Sequence, residues 1–456
     1  MFHPETSILS YRRSRTRKNT NGGIAVLFRD ITMVDENMNV REGMYLGTEG
    51  KNITYISDVP PSDSARFGES YPHTKDMLFL PAFVNAHAHT PMQLMRGYGE
   101  NLSLMDWLNT RIFPFEAKWK AEDIYYASMA EAAEMLRFGI ATTNDMYYYA
   151  SSVLKAAYES GIKTNFSLGT VCFDGSEFTS LPVYTETLEA IKNYNGLDGR
   201  LTVDFCLHAE YTNTEKTARG VAEAAKEYGT GVHVHVSETA DEVKQCRERH
   251  GGRSPVRFLN DCGMFDVPTV AAHCVHIDGD DIGILKEKNV TVATCATSNL
   301  KLASGICPVP ELMRRGVNVA IGTDSVASNN NLNMIEEMKL FALIHKGISG
   351  DPTVITPSQA LYAATGAGAK ALRRTDSGRL SVGCRADITA VDISQIYMKP
   401  CNDMLSNLVY SSCGSDVRMT MCDGRVLYDN GEYKTIDIEK VTSECERSRK
   451  RIISEL

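Results

Sequence analysis

At 456 residues the chain is longer than one hydrophobic core usually serves, and it predicts one large domain with a smaller companion. A formal net charge of −9 excludes a nucleic-acid surface and a basic membrane-binding face, so the expected partner is a small molecule. No apolar run approaches the roughly 18–20 residues of a spanning helix, so no membrane segment is expected.

The first 22 residues carry Arg12, Arg13, Arg15, Arg17 and Lys18 with little apolar content and read as a disordered basic arm. A twin-arginine signal would need an apolar stretch after Arg12 and Arg13, and polar SRTRKNTNGG follows instead. Residues 23–77 read as short strands (IAVLFRDITMVD, MYLGTEG, ITYISDV) without helical periodicity. From Leu78 to 379, strand-like runs alternate with helix-like ones, the signature of parallel β/α units. The strands expected are MLFLPAFVNA, IATTNDM (140–146), KTNFSLGTV (163–171), LTVDFCLH (201–208), GVHVHVS (231–237), TVAAHC (269–274), VTVATC (290–295) and VNVAIGTD (317–324). Eight such units predict an α/β fold, a (β/α)8 TIM-type barrel. Residues 380–440 return to strand text and are expected to join 23–77 in a small discontinuous β-sandwich, with a helical tail over 441–456. The twelve cysteines include no C-x-x-C pair and read as reduced thiols of a cytoplasmic protein.

Residues two apart on a strand share a face, so His87 and His89 in NAHAHT are expected to project together at the end of the first barrel strand. Alone, a His-x-His pair is weak evidence. Barrel sites gather at the C-terminal strand ends, and there the fifth strand offers His235 followed by Glu238, the sixth His273 and the eighth Asp324. Three imidazoles and a carboxylate suit a borderline divalent ion such as Zn²⁺ or Fe²⁺. His233 shares the face of His235 and is expected in a lower barrel layer or hydrogen-bonded behind the ligands. The fourth strand ends in Leu207 and His208 rather than a bridging lysine, so one metal per chain is expected. Glu238, three residues beyond His235, is placed to take a proton from the attacking water, although TADEV after it also fits a helix N-terminal carboxylate.

The set NAHAHT, HVHVSE, AAHC and GTD, in this order, resembles the amidohydrolase superfamily. MRGYGENLSLMDWLNTRIFPFEAKW, SNLKLASGICPVPELMRRGVNVAIGTD and SVASNNNLNMIEEMKL look like its branch of methylthioadenosine and S-adenosylhomocysteine deaminases and chlorohydrolases. The resemblance implies His87, His89, His235 and Asp324 as metal ligands, and Glu238, His273 and Asp324 as catalytic groups. It implies Glu116, His208 and Ser328 as substrate contacts. The reaction implied is hydrolytic deamination of an adenine nucleoside, with a guanine-type base or a chloro-s-triazine as the alternative substrate. A homo-oligomer is expected. Trp107 and Trp119 are candidates to stack on the purine, and Ser298 and Lys301 to line the pocket mouth. Where relatives have a histidine near the end of strand seven, this chain has Thr294 and Cys295. The arginine that grips the carboxylate of S-adenosylhomocysteine in the family falls on Val183, with Arg137 as a possible substitute.

Overall fold

The computed structural model describes residues 25–68 and 70–456; the basic arm expected at 1–22 lies outside them. Two eight-stranded sheets organise the chain. Strands β1 (Val26–Val34), β2 (Val40–Glu49), β3 (Asn52–Ser57) and β4 (Met77–Pro81) open the smaller unit. The barrel follows, with β5 (Phe83–Ala88), β6 (Ile140–Tyr147), β7 (Lys163–Leu168), β8 (Leu201–Leu207), β9 (Val232–Val236), β10 (Thr269–His273), β11 (Thr291–Thr294) and β12 (Asn318–Ile321). Its strands run parallel in chain order. The chain then returns through β13 (Ile388–Asp392), β14 (Val417–Cys422), β15 (Arg425–Asp429) and β16 (Glu432–Tyr433) to complete the first sheet in the order β16-β15-β14-β13-β4-β1-β2-β3. That sheet is continuous and folds over a core of its own, where Phe28, Phe79, Ile388 and Met421 meet. This is the small discontinuous β-sandwich expected from the two ends of the chain.

One expected strand is two. LFLPAFV divides at Ala82: β4 pairs with β13 and β1 in the small sheet, whereas β5 pairs with β6 in the barrel. Pro81 has no N–H to give a ladder. Immediately after it, Ala82 N donates to Asp387 O in the small unit and Phe83 N to Gly139 O in the barrel.

Helices form where an apolar stripe meets a start and a stop signal. In Glu215–Tyr228, Thr214 caps the N-terminus by accepting from Thr217 N, and Gly229 ends it in the left-handed region at φ 64°. Ala218, Val221, Ala222 and Ala225 form its buried face. Among the described residues no helix is long and apolar enough to cross a membrane. The C-terminal residues form a helix over Ile438–Ser454 that packs on Ala121–Arg137. Within β9, Val232, Val234 and Val236 join the helix-facing core, so strand alternation turns His233 and His235 into the barrel.

The barrel closes where β12 meets β5. Asp324 N donates to His87 O at 2.9 Å, and Asn85 exchanges two hydrogen bonds with Thr323 (Nδ2 to Oγ1 at 2.7 Å, and Thr323 N to Oδ1 at 2.9 Å). Gly322 permits this approach, because a Cβ there would lie 2.8 Å from His87 Cβ and 2.9 Å from His87 N.

At the opposite end, Lys163 at the start of β7 is buried against the small unit. Its Nζ donates to Asp387 Oδ1 at 2.6 Å and lies 2.7 Å from Asp423 Oδ1. Removing one partner of a buried ionic cluster leaves uncompensated charge. Lys163→Ala is therefore expected to destabilise the protein by about 3–5 kcal/mol, read as a lowered urea midpoint; an unchanged midpoint would show that Arg385, 3.3 Å from Asp423 Oδ2, suffices as counter-ion.

Candidate active site

The C-terminal strand ends bring together the histidines and carboxylates that the sequence singles out. His89 Nδ1 lies 2.6 Å from Met146 O and His235 Nδ1 2.7 Å from His208 O. A carbonyl only accepts, so both Nδ1 atoms carry hydrogen, and in the neutral rings both Nε2 atoms present lone pairs. Those two Nε2 atoms are 3.3 Å apart. His87 Nε2 is buried without a hydrogen-bond partner, and Asp324 Oδ1 lies 3.5 Å from it and 3.3 Å from His89 Nε2. The Nε2 atoms of His87, His89 and His235 and a carboxylate oxygen of Asp324 thus converge. Such a set is satisfied by a cation, and N and O donors in this number fit a divalent metal ion.

Asp324 is held on its far side. Its Oδ2 accepts from Ser298 Oγ at 2.6 Å and Ser328 Oγ at 3.1 Å, and its Oδ1 from Ser325 N at 2.8 Å. Ser298 was expected at the pocket mouth; it is instead fully buried behind Asp324. The backbone at Asp324 (φ 60°) and at His273 (φ 70°) is left-handed, a strained conformation for residues with a Cβ.

Glu238 and His273 stand beside this cluster, with His273 Nε2 3.8 Å from Glu238 Oε2. His273 Nδ1 is 2.8 Å from Asn299 Oδ1, and Glu238 Oε1 accepts from Ser304 Oγ at 3.2 Å. Burial pushes the Glu238 carboxyl up from its ordinary range. The helix that follows starts at Ala240 with Thr239 as its cap. Glu242 rather than Glu238 accepts the buried backbone donors here, taking Ser237 N at 2.8 Å and Glu238 N at 2.7 Å. The Glu238 carboxylate is thereby left to the cavity.

That cavity, about 670 Å³ and open to solvent, is lined by His89, His235, Glu238, His273 and Asp324 at its base and by Glu116, His208 and Ser328 on its walls. Met92, Leu104, Trp107, Leu108, Ile112 and Phe113 make an apolar side, and among the described residues no lysine or arginine lines it. Glu116 Oε1 accepts from Tyr147 Oη at 2.6 Å; burial raises its carboxyl to about 7, although that hydrogen bond pulls it down. His208, with Nδ1 3.1 Å from Thr212 Oγ1, is lowered by burial to about 4 and is neutral at pH 7.

Several expected positions fall elsewhere. Trp107 lines the cavity, whereas Trp119 is buried behind it, its indole N–H donating to Tyr147 Oη at 3.2 Å. Lys301 turns to Glu100 at 2.9 Å and to Ala327 O. Arg137 donates to Gly414 O and Val417 O in the small unit and does not reach the cavity. Val183 begins the second position of helix Pro182–Tyr194 and is absent from the lining. Beside Thr294 and Cys295, hydrogen bonding to the site is supplied by Ser298 and Asn299 in the next turn. Tyr147, Tyr148 and Tyr211 line the cavity without having been expected; the run YYY at the end of β6 was the signal for the first two.

The chain resembles known proteins over nearly its whole length. It is 39% identical over 435 residues to a 5-methylthioadenosine/S-adenosylhomocysteine deaminase of Caldanaerobacter subterraneus subsp. tengcongensis, covering 94% of this chain and 98% of the relative. It is 38% identical over 425 residues to a 5'-deoxyadenosine deaminase of Methanosarcina acetivorans, covering 93% and 96%. Among solved structures, an adenosine deaminase from Xanthomonas campestris with bound zinc superposes with a TM-score of 0.87 at 29% identity, over 94% of this chain and 98% of that one. The Amidohydrolase family model matches residues 78–427, the barrel with its return into the small sheet. The chain belongs to the amidohydrolase family and is a hydrolase acting on carbon–nitrogen bonds.

Proposed function

We propose that the protein is a metal-dependent deaminase of adenine nucleosides, converting 5'-methylthioadenosine, 5'-deoxyadenosine or adenosine to the inosine analogue and ammonia. The observation that carries this reading is the convergence of His87, His89, His235 and Asp324 beneath a cavity that Glu238 also faces. These four residues would hold one divalent ion, Zn²⁺ or Fe²⁺. When bound, the ion supplies the Lewis acidity that makes water a nucleophile at neutral pH.

Glu238 receives a proton from the water that attacks the amino-bearing ring carbon and passes it to the adjacent ring nitrogen. His273, fixed by Asn299, orients the attacking oxygen. Asp324 carries the second proton to the departing amine, so the water oxygen stays on the ring as a carbonyl and the amino group leaves as ammonia. Glu116, steadied by Tyr147, accepts the ribose hydroxyls, while His208 and Ser328 contact the substrate from the walls. We place the enzyme in the cytoplasm as a homo-oligomer acting on a small molecule.

An ammonia-release panel of adenosine, 5'-methylthioadenosine, 5'-deoxyadenosine, S-adenosylhomocysteine, guanine and cytosine tests the reading. Among the described residues, the lining offers no lysine or arginine to the amino-acid carboxylate of S-adenosylhomocysteine. A missing charge-assisted contact is worth roughly 1.5–3 kcal/mol, or one to two powers of ten. One of the three neutral nucleosides is accordingly expected to exceed S-adenosylhomocysteine by that factor in kcat/KM. If S-adenosylhomocysteine is the best substrate, or guanine outruns every nucleoside, the substrate assignment fails.

A further inference from the structure

His233 lies one layer below the candidate ligands, on the strand face of His235 and 1% exposed. Its Nε2 is 2.8 Å from His87 Nδ1, with the rings edge to face at 88°. Its Nδ1 faces Ser167 Oγ at 3.5 Å, and that hydroxyl faces Asp145 O at 3.4 Å. His89 and His235 give their Nδ1 protons to backbone carbonyls, which no substitution removes. Of the three imidazoles, His87 is the one oriented by a side chain.

We propose that His233 is a positioning residue for the metal centre, accepting the Nδ1–H of His87 so that His87 Nε2 keeps its lone pair for the ion. Hydrogen-bond direction carries the argument. A His87 that ligates through Nε2 carries its proton on Nδ1, 2.8 Å from His233 Nε2, while Ser167 Oγ faces His233 Nδ1 at 3.5 Å. His233 Nε2 is then an acceptor, and His87 Nδ1 must be the donor. The reverse direction would put the proton on His87 Nε2, where it blocks the electron pair a metal needs.

This inference rests on the reading of His87 as a ligand, and the test separates the two. Zinc affinity of the full chain is measured by competition with a chromophoric chelator, alongside the melting temperature of the metal-free protein. Losing a group that orients a ligating histidine typically weakens metal binding about 10–100-fold. That loss is expected for His233→Leu, with the metal-free melting temperature unchanged. His233→Gln places a carbonyl oxygen near the Nε2 position and is expected within a few-fold of wild type; His233→Asn reaches only the Nδ1 position and should resemble the leucine variant. Wild-type affinity in His233→Leu overturns the proposal. So do equal affinities in the glutamine and asparagine variants, a comparison that holds where the leucine variant fails to fold. Undiminished zinc binding by His87→Ala would instead remove His87 from the ligand set.

Discussion

Glu238→Gln is expected to keep the metal and the fold while turnover falls by about three to four powers of ten, near the upper end of what general acid–base catalysis contributes. The amide has the shape of the carboxylate and can still accept from Ser304 Oγ, so packing changes little. Nor does the backbone depend on the lost charge, since Glu242 holds the Ser237 and Glu238 amides. What disappears is the ability to accept the water's proton and release it to the ring. Metal content by mass spectrometry, melting temperature and kcat on the best nucleoside check the three parts together. Near-normal turnover would remove Glu238 from the mechanism.

His87→Ala and Asp324→Ala are expected to lose metal and activity together, from about one ion per wild-type chain to substoichiometric content after gel filtration. Each removal deletes one member of the set that would hold the ion. Because a ligand that binds only the folded state raises its stability, added Zn²⁺ should raise the melting temperature of wild type but not of these variants. Full occupancy in both would sink the ligand assignment.

The barrel and its strand-end chemistry were legible because period-two alternation and chain order decide them locally. β6 to β12 fall within a few residues of the runs read from sequence, and His87, His89, His235, His273 and Asp324 project where strand ends put them. The break at Ala82 was not legible, because an apolar run through Pro81 looks alike whether one sheet or two receives it; the partners Asp387 and Gly139 lie far along the chain. Ser298 and Trp119 were misplaced for a related reason. A serine in a loop and a tryptophan near a pocket declare their direction only once Asp324 and Tyr147 are in position. Tyr147 escaped notice because the strand was ended one residue early.

The seam between β5 and β12 bears on how the chain comes to function. Gly322, Thr323 and Asp324 meet Asn85 and His87, and these belong to the last and first strands of the barrel. Contacts so distant in sequence form late, after the loop entropy between them has been spent. A growing polypeptide that already holds His87, His89 and His235 still lacks both its carboxylate and the wall that seats it until β12 arrives. On the proposed ligand set, a prematurely terminated product would carry three of the four residues yet hold no ion tightly, and an ion held by the full-length chain would bridge the last joint to close.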